Sequence, residues 1–237
     1  MAVKDCVLLE DGTFDLDMGL LVWMKPQYYG KKYKCVARSM LVVTGEDVIL
    51  LDTGCGEVPD RTVKEYNFER RSSLLQGLER AGYSPDDISM VINTHLHFDH
   101  CGWNRAFKKA KFLVQTAELD YSQHPHKFQR EGYFKGVLEG TRFEPITGDH
   151  AVSEGISILF TPGHTPGHQS VVVKWRGRNM IFCGDTGAVA ENILKRNVIG
   201  ITTDPVKCLE SIDRLRAIPD AFFVYAHDND QPELPRA

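Results

Sequence analysis

One segment, His95-Leu96-His97-Phe98-Asp99-His100, constrains this chain more than any other feature. The apolar run Ile88-Ser89-Met90-Val91-Ile92 precedes it and reads as a strand leading directly into Thr94-His95. At i and i+2 after a strand, His95 and His97 project to the same side. Asp99 and His100 then fall on the following loop or helix start. Imidazoles and a carboxylate packed this closely are costly in a core unless something pairs them. They are typical zinc donors, and four of them exceed what one catalytic zinc takes from a single segment. The split predicts two metals, His95 and His97 on one, Asp99 and His100 on the other.

Each metal then needs more protein ligands. His164 sits in Thr161-Pro162-Gly163-His164-Thr165-Pro166-Gly167-His168, a turn fixed by Gly and Pro after a strand. Asp185 follows the apolar run from Met180 to Cys183, and His227 follows the run from Ala221 to Tyr225. Each ends an apolar run, so all are expected to converge on one rim of a sheet, where rigid scaffolds carry sites. Asp185 has two oxygens and can bridge two ions.

The rest of the chain reads as one layered α/β or α+β domain spanning residues 1–237. Met40–Val43 and Val48–Leu51 predict a hairpin around Gly45-Glu46-Asp47. Leu74, Leu75, Leu78 and Ala81 predict a helix between Arg70 and Ala81, stopped by Gly82. Another helix is expected from near His100, over Trp103 to Lys108. Strands are expected at Phe112–Val114, Ile156–Phe160, Ser170–Trp175, Asn179–Cys183 and Ala221–Tyr225, with a helix opened by Pro205. The polar, aromatic stretch from Glu118 to Phe143 gives no clear pattern. Ile49–Gly54 faintly echoes Ile181–Gly187.

A net charge of −4 argues against a nucleic-acid footprint. No run approaches the roughly 18 apolar residues of a membrane span. An acidic residue, Asp5, stands where a signal peptide needs its apolar run, so a cytoplasmic location is expected. The six cysteines include no Cys-x-x-Cys pair and read as reduced, buried thiols.

The ordered set His95, His97, Asp99, His100, His164, Asp185 and His227 resembles the metallo-β-lactamase superfamily from about Met40 onward. Tyr83-Ser84-Pro85-Asp86-Asp87, Thr161 through Ser170, and His227-Asp228 with Gln231 look most like its N-acyl-homoserine lactone lactonases. The resemblance implies a four-layer αββα sandwich and a dinuclear site, with two Zn2+ or other divalent ions such as Fe, Co or Mn. It implies His95, His97 and His164 on the first metal, Asp99, His100 and His227 on the second, and Asp185 with a hydroxide between them. That hydroxide would attack the ring carbonyl of a lactone, and Asp99 would relay a proton to the departing alkoxide. The family is compatible with a homodimer. Such lactonases commonly carry a Tyr three residues after the bridging Asp, where this chain has Ala188. Tyr28, Tyr29, Tyr121 and Tyr133 are loop tyrosines available to stand in.

Other readings have specific weaknesses. A glyoxalase-II-like thioesterase would share the ligands, but its tail should be basic, and here Asp228 to Arg236 is acidic. A processing nuclease conflicts with the negative charge, and a β-lactamase with Asp185, where many carry Cys. A di-iron flavin partner usually has Glu where His97 stands. A catalytically silent metal-binding module is the alternative outside enzymes. The two Asp-Thr-Gly triplets, at Asp52 and Asp185, resemble an aspartic-protease pair, but that reading leaves five histidines idle. Asp52 is expected instead to bond backbone near the metal loop. His124, His126 and His150 read as surface residues, His168 as support for the ligands, and Cys101 as a non-ligand. Trp23, Met24, Tyr28, Tyr29, Tyr66, Phe68 and Phe107 are candidates either for an acyl pocket or for ordinary packing.

Overall fold

A computed structural model describes residues 2–235; Met1, Arg236 and Ala237 lie outside the described residues. Two sheets stack face to face. The first runs in the order β1 (Asp5–Asp17), β2 (Lys32–Val43), β3 (Val48–Leu51), β4 (Met90–Ile92), β5 (Lys111–Gln115) and β6 (Phe143–Ile146). The second contains β7 (His150–Ser153), β8 (Ile156–Phe160), β9 (Gln169–Trp175), β10 (Arg178–Phe182) and β11 (Ala221–Val224), with β11 at the edge beside β10. The expected hairpin forms with Met40 opposite Leu51 and Val43 opposite Val48.

Strand periodicity explains the layers, because successive side chains point to opposite faces. Met40, Val42, Ile49, Leu51 and Leu113 face inward and meet Val171, Val173, Met180 and Phe182 between the sheets. Their neighbours Leu41, Leu50, Val91 and Phe112 face outward and pack with Leu74 and Leu78 of the helix Leu74–Arg80. On the far side Val172 and Ile181 pack with Cys208, Ile212 and Leu215 of the helix Pro205–Arg216. Three apolar layers between helix, sheet, sheet and helix make the αββα sandwich. At about 25 cal/mol per Å² this burial is the dominant favourable term in the fold.

Two helices differ from expectation. The helix expected between Arg70 and Ala81 starts only at Leu74, because Ser73 caps it reciprocally with Gln76 and the Leu74 N–H goes to Asp11. The helix expected over Trp103 to Lys108 is replaced by a short helix Phe98–Cys101 and a single 3-10 turn at Asn104–Ala106. The Gly102 and Trp103 N–H groups donate to Gly54 and Thr53, which removes the bonds a continuing helix needs. The segment without pattern forms a helix at Thr116–Gln123 and then short turns. All six cysteines are buried and unpaired. No helix among the described residues is long and apolar enough to cross a membrane.

Candidate metal centre

The predicted residues come from the ends of both sheets rather than of one. His95 follows β4, His164 follows β8, Asp185 follows β10 and His227 follows β11. The structure gathers all seven: His95, His97, His164 and Asp185 form one group, and Asp99, His100 and His227 a second. Within each group the donor atoms lie within 4.8 Å of one another. In the first, His95 Nε2 and His164 Nε2 are each 3.0 Å from His97 Nδ1 and 3.2 Å apart. Nitrogens bound tetrahedrally to zinc at 2.0–2.1 Å sit about 3.3 Å apart. Asp185 reaches both groups, with Oδ2 3.3 Å from His164 Nε2 and Oδ1 3.1 Å from His227 Nε2.

The outer ring nitrogens show which atoms are free for a cation. His227 Nδ1 lies 2.8 Å from the Val36 carbonyl and His164 Nδ1 2.6 Å from the Ile201 carbonyl. His100 Nδ1 lies 2.7 Å from Asp52 Oδ2. Carbonyl and carboxylate oxygens only accept, so these Nδ1 atoms carry protons and the Nε2 lone pairs point inward. Lone pairs and carboxylate oxygens then converge on two points, and buried Asp185 Oδ1 has no hydrogen-bond partner among the described residues. Such a donor set repels itself unless cations fill it. The residues therefore fit two divalent ions.

Burial holds His95, His97 and His164 below the usual histidine pKa, and they stay neutral. Burial also works against charge on His100 and His227, but there the carboxylates of Asp185 and Asp99 outweigh it and push both upward. Asp185 is held well below the carboxylate range, because His227, His100 and His164 outweigh its burial. A raised pKa means that the metal-free protein takes up this proton at a higher pH as pH falls, and that proton competes with a cation. As pH falls, the ion on the Asp99, His100 and His227 side is expected to leave first, beginning above the usual histidine value of about 6.5. Metal analysis after dialysis at stepped pH should pass through a plateau of one ion per chain; simultaneous loss of both would contradict this.

Supporting groups fix the ligands. Asp52 is fully buried and accepts from the Thr94 N–H, the Thr94 hydroxyl and His100. It does not pair with Asp185, which rejects the aspartic-protease reading. Asp52→Asn is expected to weaken the second ion about 10–100-fold and leave the first unchanged, as read by titration against a chromophoric chelator. His168 accepts the Asp185 N–H at Nε2, and burial first of all holds its pKa down to about 3, so it stays neutral. Gly184 turns the chain there at φ 54°, and a Cβ on it would stand 2.5 Å from His168 Nε2. Cys101 donates to the Leu96 and His97 carbonyls and stands outside both donor groups. His124, His126 and His150 are exposed.

Sequence reasoning missed Glu118. Its fully buried carboxylate accepts from the Leu96 N–H, between His95 and His97, from Tyr133 and from Thr165, beside His164. A lone Glu in a patternless helix gives no signal of this.

A cleft of about 280 Å³ opens over the candidate ligands. Phe14, Leu16, Leu20, Leu21, Ile199 and Ile201 give it apolar walls, and Tyr66, Phe98, Phe128 and Gln129 also line it. A larger groove of about 680 Å³ runs along β1 and holds none of the ligands. Of the aromatic candidates only Tyr66 lines the cleft. Trp23, Met24 and Tyr29 are exposed on the surface, Tyr28 is bonded to Glu191, Phe68 lies under Arg70, and Phe107 is in the core.

The profile described as the metallo-beta-lactamase superfamily matches residues 33–227. The chain belongs to this superfamily. Within it the chain is 32% identical over 208 residues to an N-acyl homoserine lactonase of Bacillus cereus, covering 81% of this chain and 80% of that one. It is 28% identical over 175 residues to the N-acyl homoserine lactonase AttM of Rhizobium radiobacter, covering 69% and 66%. An N-acyl homoserine lactone hydrolase solved with N-hexanoyl-L-homoserine at its catalytic metal center superposes with a TM-score of 0.84 at 29% identity. That match covers 98% of this chain and 96% of the solved one.

Proposed function

We propose that this superfamily member is a dinuclear metal hydrolase that opens the ring of N-acyl-homoserine lactones or related lactones. The observation that carries the reading is the pair of donor groups joined by Asp185 at the floor of an apolar-walled cleft. The lactonase relatives support the substrate class. His95, His97 and His164 would hold one ion, Asp99, His100 and His227 the other, and Asp185 both. Bound there, two divalent cations, zinc first among them, would supply Lewis acidity and a water nucleophile activated at neutral pH. The chain's own groups do the rest. Asp99, partly exposed beside His100 and His227, carries a proton to the ring oxygen as it leaves. The apolar walls take the acyl chain and exclude water, which strengthens every charge interaction inside. A cytoplasmic location is part of the reading, supported by the six unpaired thiols.

The test is proton release by zinc-loaded protein on short- and long-chain N-acyl-homoserine lactones, γ-butyrolactone and a glutathione thioester. Turnover of the acyl lactones that disappears in His97→Ala supports the proposal. Silence on every lactone from protein holding two ions, with thioester turnover, would transfer the site to the thioesterase reading. Silence on all substrates would leave a metal-binding module.

A further inference from the structure

An N-acylated lactone brings two carbonyls into the cleft. The cations account for the ring carbonyl. The amide carbonyl must pass between apolar walls, where a carbonyl without a donor is penalised. The described cleft residues supply few candidates for that donor. The buried Gln129 side chain is held in place, with Nε2 donating one N–H to the His164 carbonyl and Oε1 accepting from Tyr121, which leaves it a single N–H. Glu131 is an acceptor paired with Arg61. The tyrosines Tyr28, Tyr121 and Tyr133 are committed to Glu191, Gln129 and Glu118. Apart from that N–H and the buried His97 Nε2, which also has no partner, the side-chain donors that the described cleft residues present at less buried positions are the Tyr66 hydroxyl and the Lys127 ammonium.

Tyr66 is the one built into the cleft wall. Its N–H donates to Thr62 and its carbonyl accepts the Asp15 N–H at 2.7 Å. Asp15 lies between Phe14 and Leu16, which both line the cleft. The ring is thereby tied to the apolar wall, whereas Lys127 is exposed at the rim. Burial, with the nearby charges of Glu65, Glu131 and Asp99, raises the Tyr66 phenol, so it stays a donor at any working pH.

We infer that Tyr66 donates its hydroxyl proton in a hydrogen bond to the amide carbonyl of the substrate and so selects lactones that carry an acylamino group. This rests on the lactone-hydrolase reading. The test compares Tyr66→Phe and Lys127→Met with the unaltered zinc-loaded protein on N-hexanoyl-homoserine lactone and on γ-octalactone, which has no amide. Tyr66→Phe is expected to raise KM about tenfold on the acylamino lactone, with kcat and γ-octalactone turnover little changed. Binding of ring-opened N-hexanoyl-L-homoserine, by calorimetry, should weaken by a similar factor with two ions still bound. Equal losses on both lactones, no loss on either, or the loss appearing in Lys127→Met instead would overturn the assignment. If the unaltered protein hydrolyses neither lactone, the lactonase reading fails, and the calorimetric comparison still decides whether Tyr66 holds the amide.

Discussion

Asp185→Asn is expected to lower lactone hydrolysis by about 10³-fold or more. The carboxylate faces His164 with one oxygen and His100 and His227 with the other. An amide offers one neutral oxygen and turns an NH2 toward the opposite group, so under the proposed function one ion would lose a ligand and both a negative charge. A loss of about 4 kcal/mol in transition-state stabilisation corresponds to roughly 10³-fold. Initial rates, metal content and far-UV circular dichroism measured together check this. A folded variant that keeps two ions and a tenth of the activity would remove Asp185 from its bridging role.

Glu118→Ala is expected to cost the most stability. The deletion strands the Leu96 and Gly167 N–H groups and the Thr165 and Tyr133 hydroxyls around a hole with no water access. At about 1–3 kcal/mol for each buried group left unpaired, even the lower bound is about 4 kcal/mol. At 2–4 °C per kcal/mol for a chain of this size, Tm should fall by roughly 8–16 °C. The loops bearing His95, His97 and His164 lose their common anchor, so the first ion should weaken as well. Calorimetry with metal analysis reads both effects, and a drop of only 2–3 °C would show that the network relaxes around the hole.

The layers were readable because strand alternation is local information. Leu41 and Leu50 are out and Met40, Val42 and Ile49 are in because side chains alternate along each strand. That the candidate ligands would gather was readable for a related reason: His95, His164, Asp185 and His227 each follow an apolar run, and strand ends of two stacked sheets meet at one rim. The supporting role of Asp52 followed from the same pattern. What failed depends on distant contacts. The stretch from Glu118 to Phe143 is shaped by bonds such as Glu118 to Leu96 and Thr165 and Gln129 to His164, none of which leaves a periodic trace. Of the aromatic residues considered for the cleft wall only Tyr66 reaches it, and Trp23 and Tyr29 do not; Phe14, Leu16, Leu20, Leu21, Ile199 and Ile201 supply most of the apolar surface. In β1 the register shifts between Glu10 and Thr13, which breaks the alternation that would have announced Phe14 and Leu16 as inward-facing.

Turnover of N-hexanoyl-homoserine lactone by one sample before chelation, after complete metal removal, and during stepwise return of zinc tests the central claim most directly. Activity should vanish on removal and return in full only as the second ion per chain is added. Hydrolysis that survives removal, or none from protein holding two ions, would contradict a dinuclear lactone hydrolase.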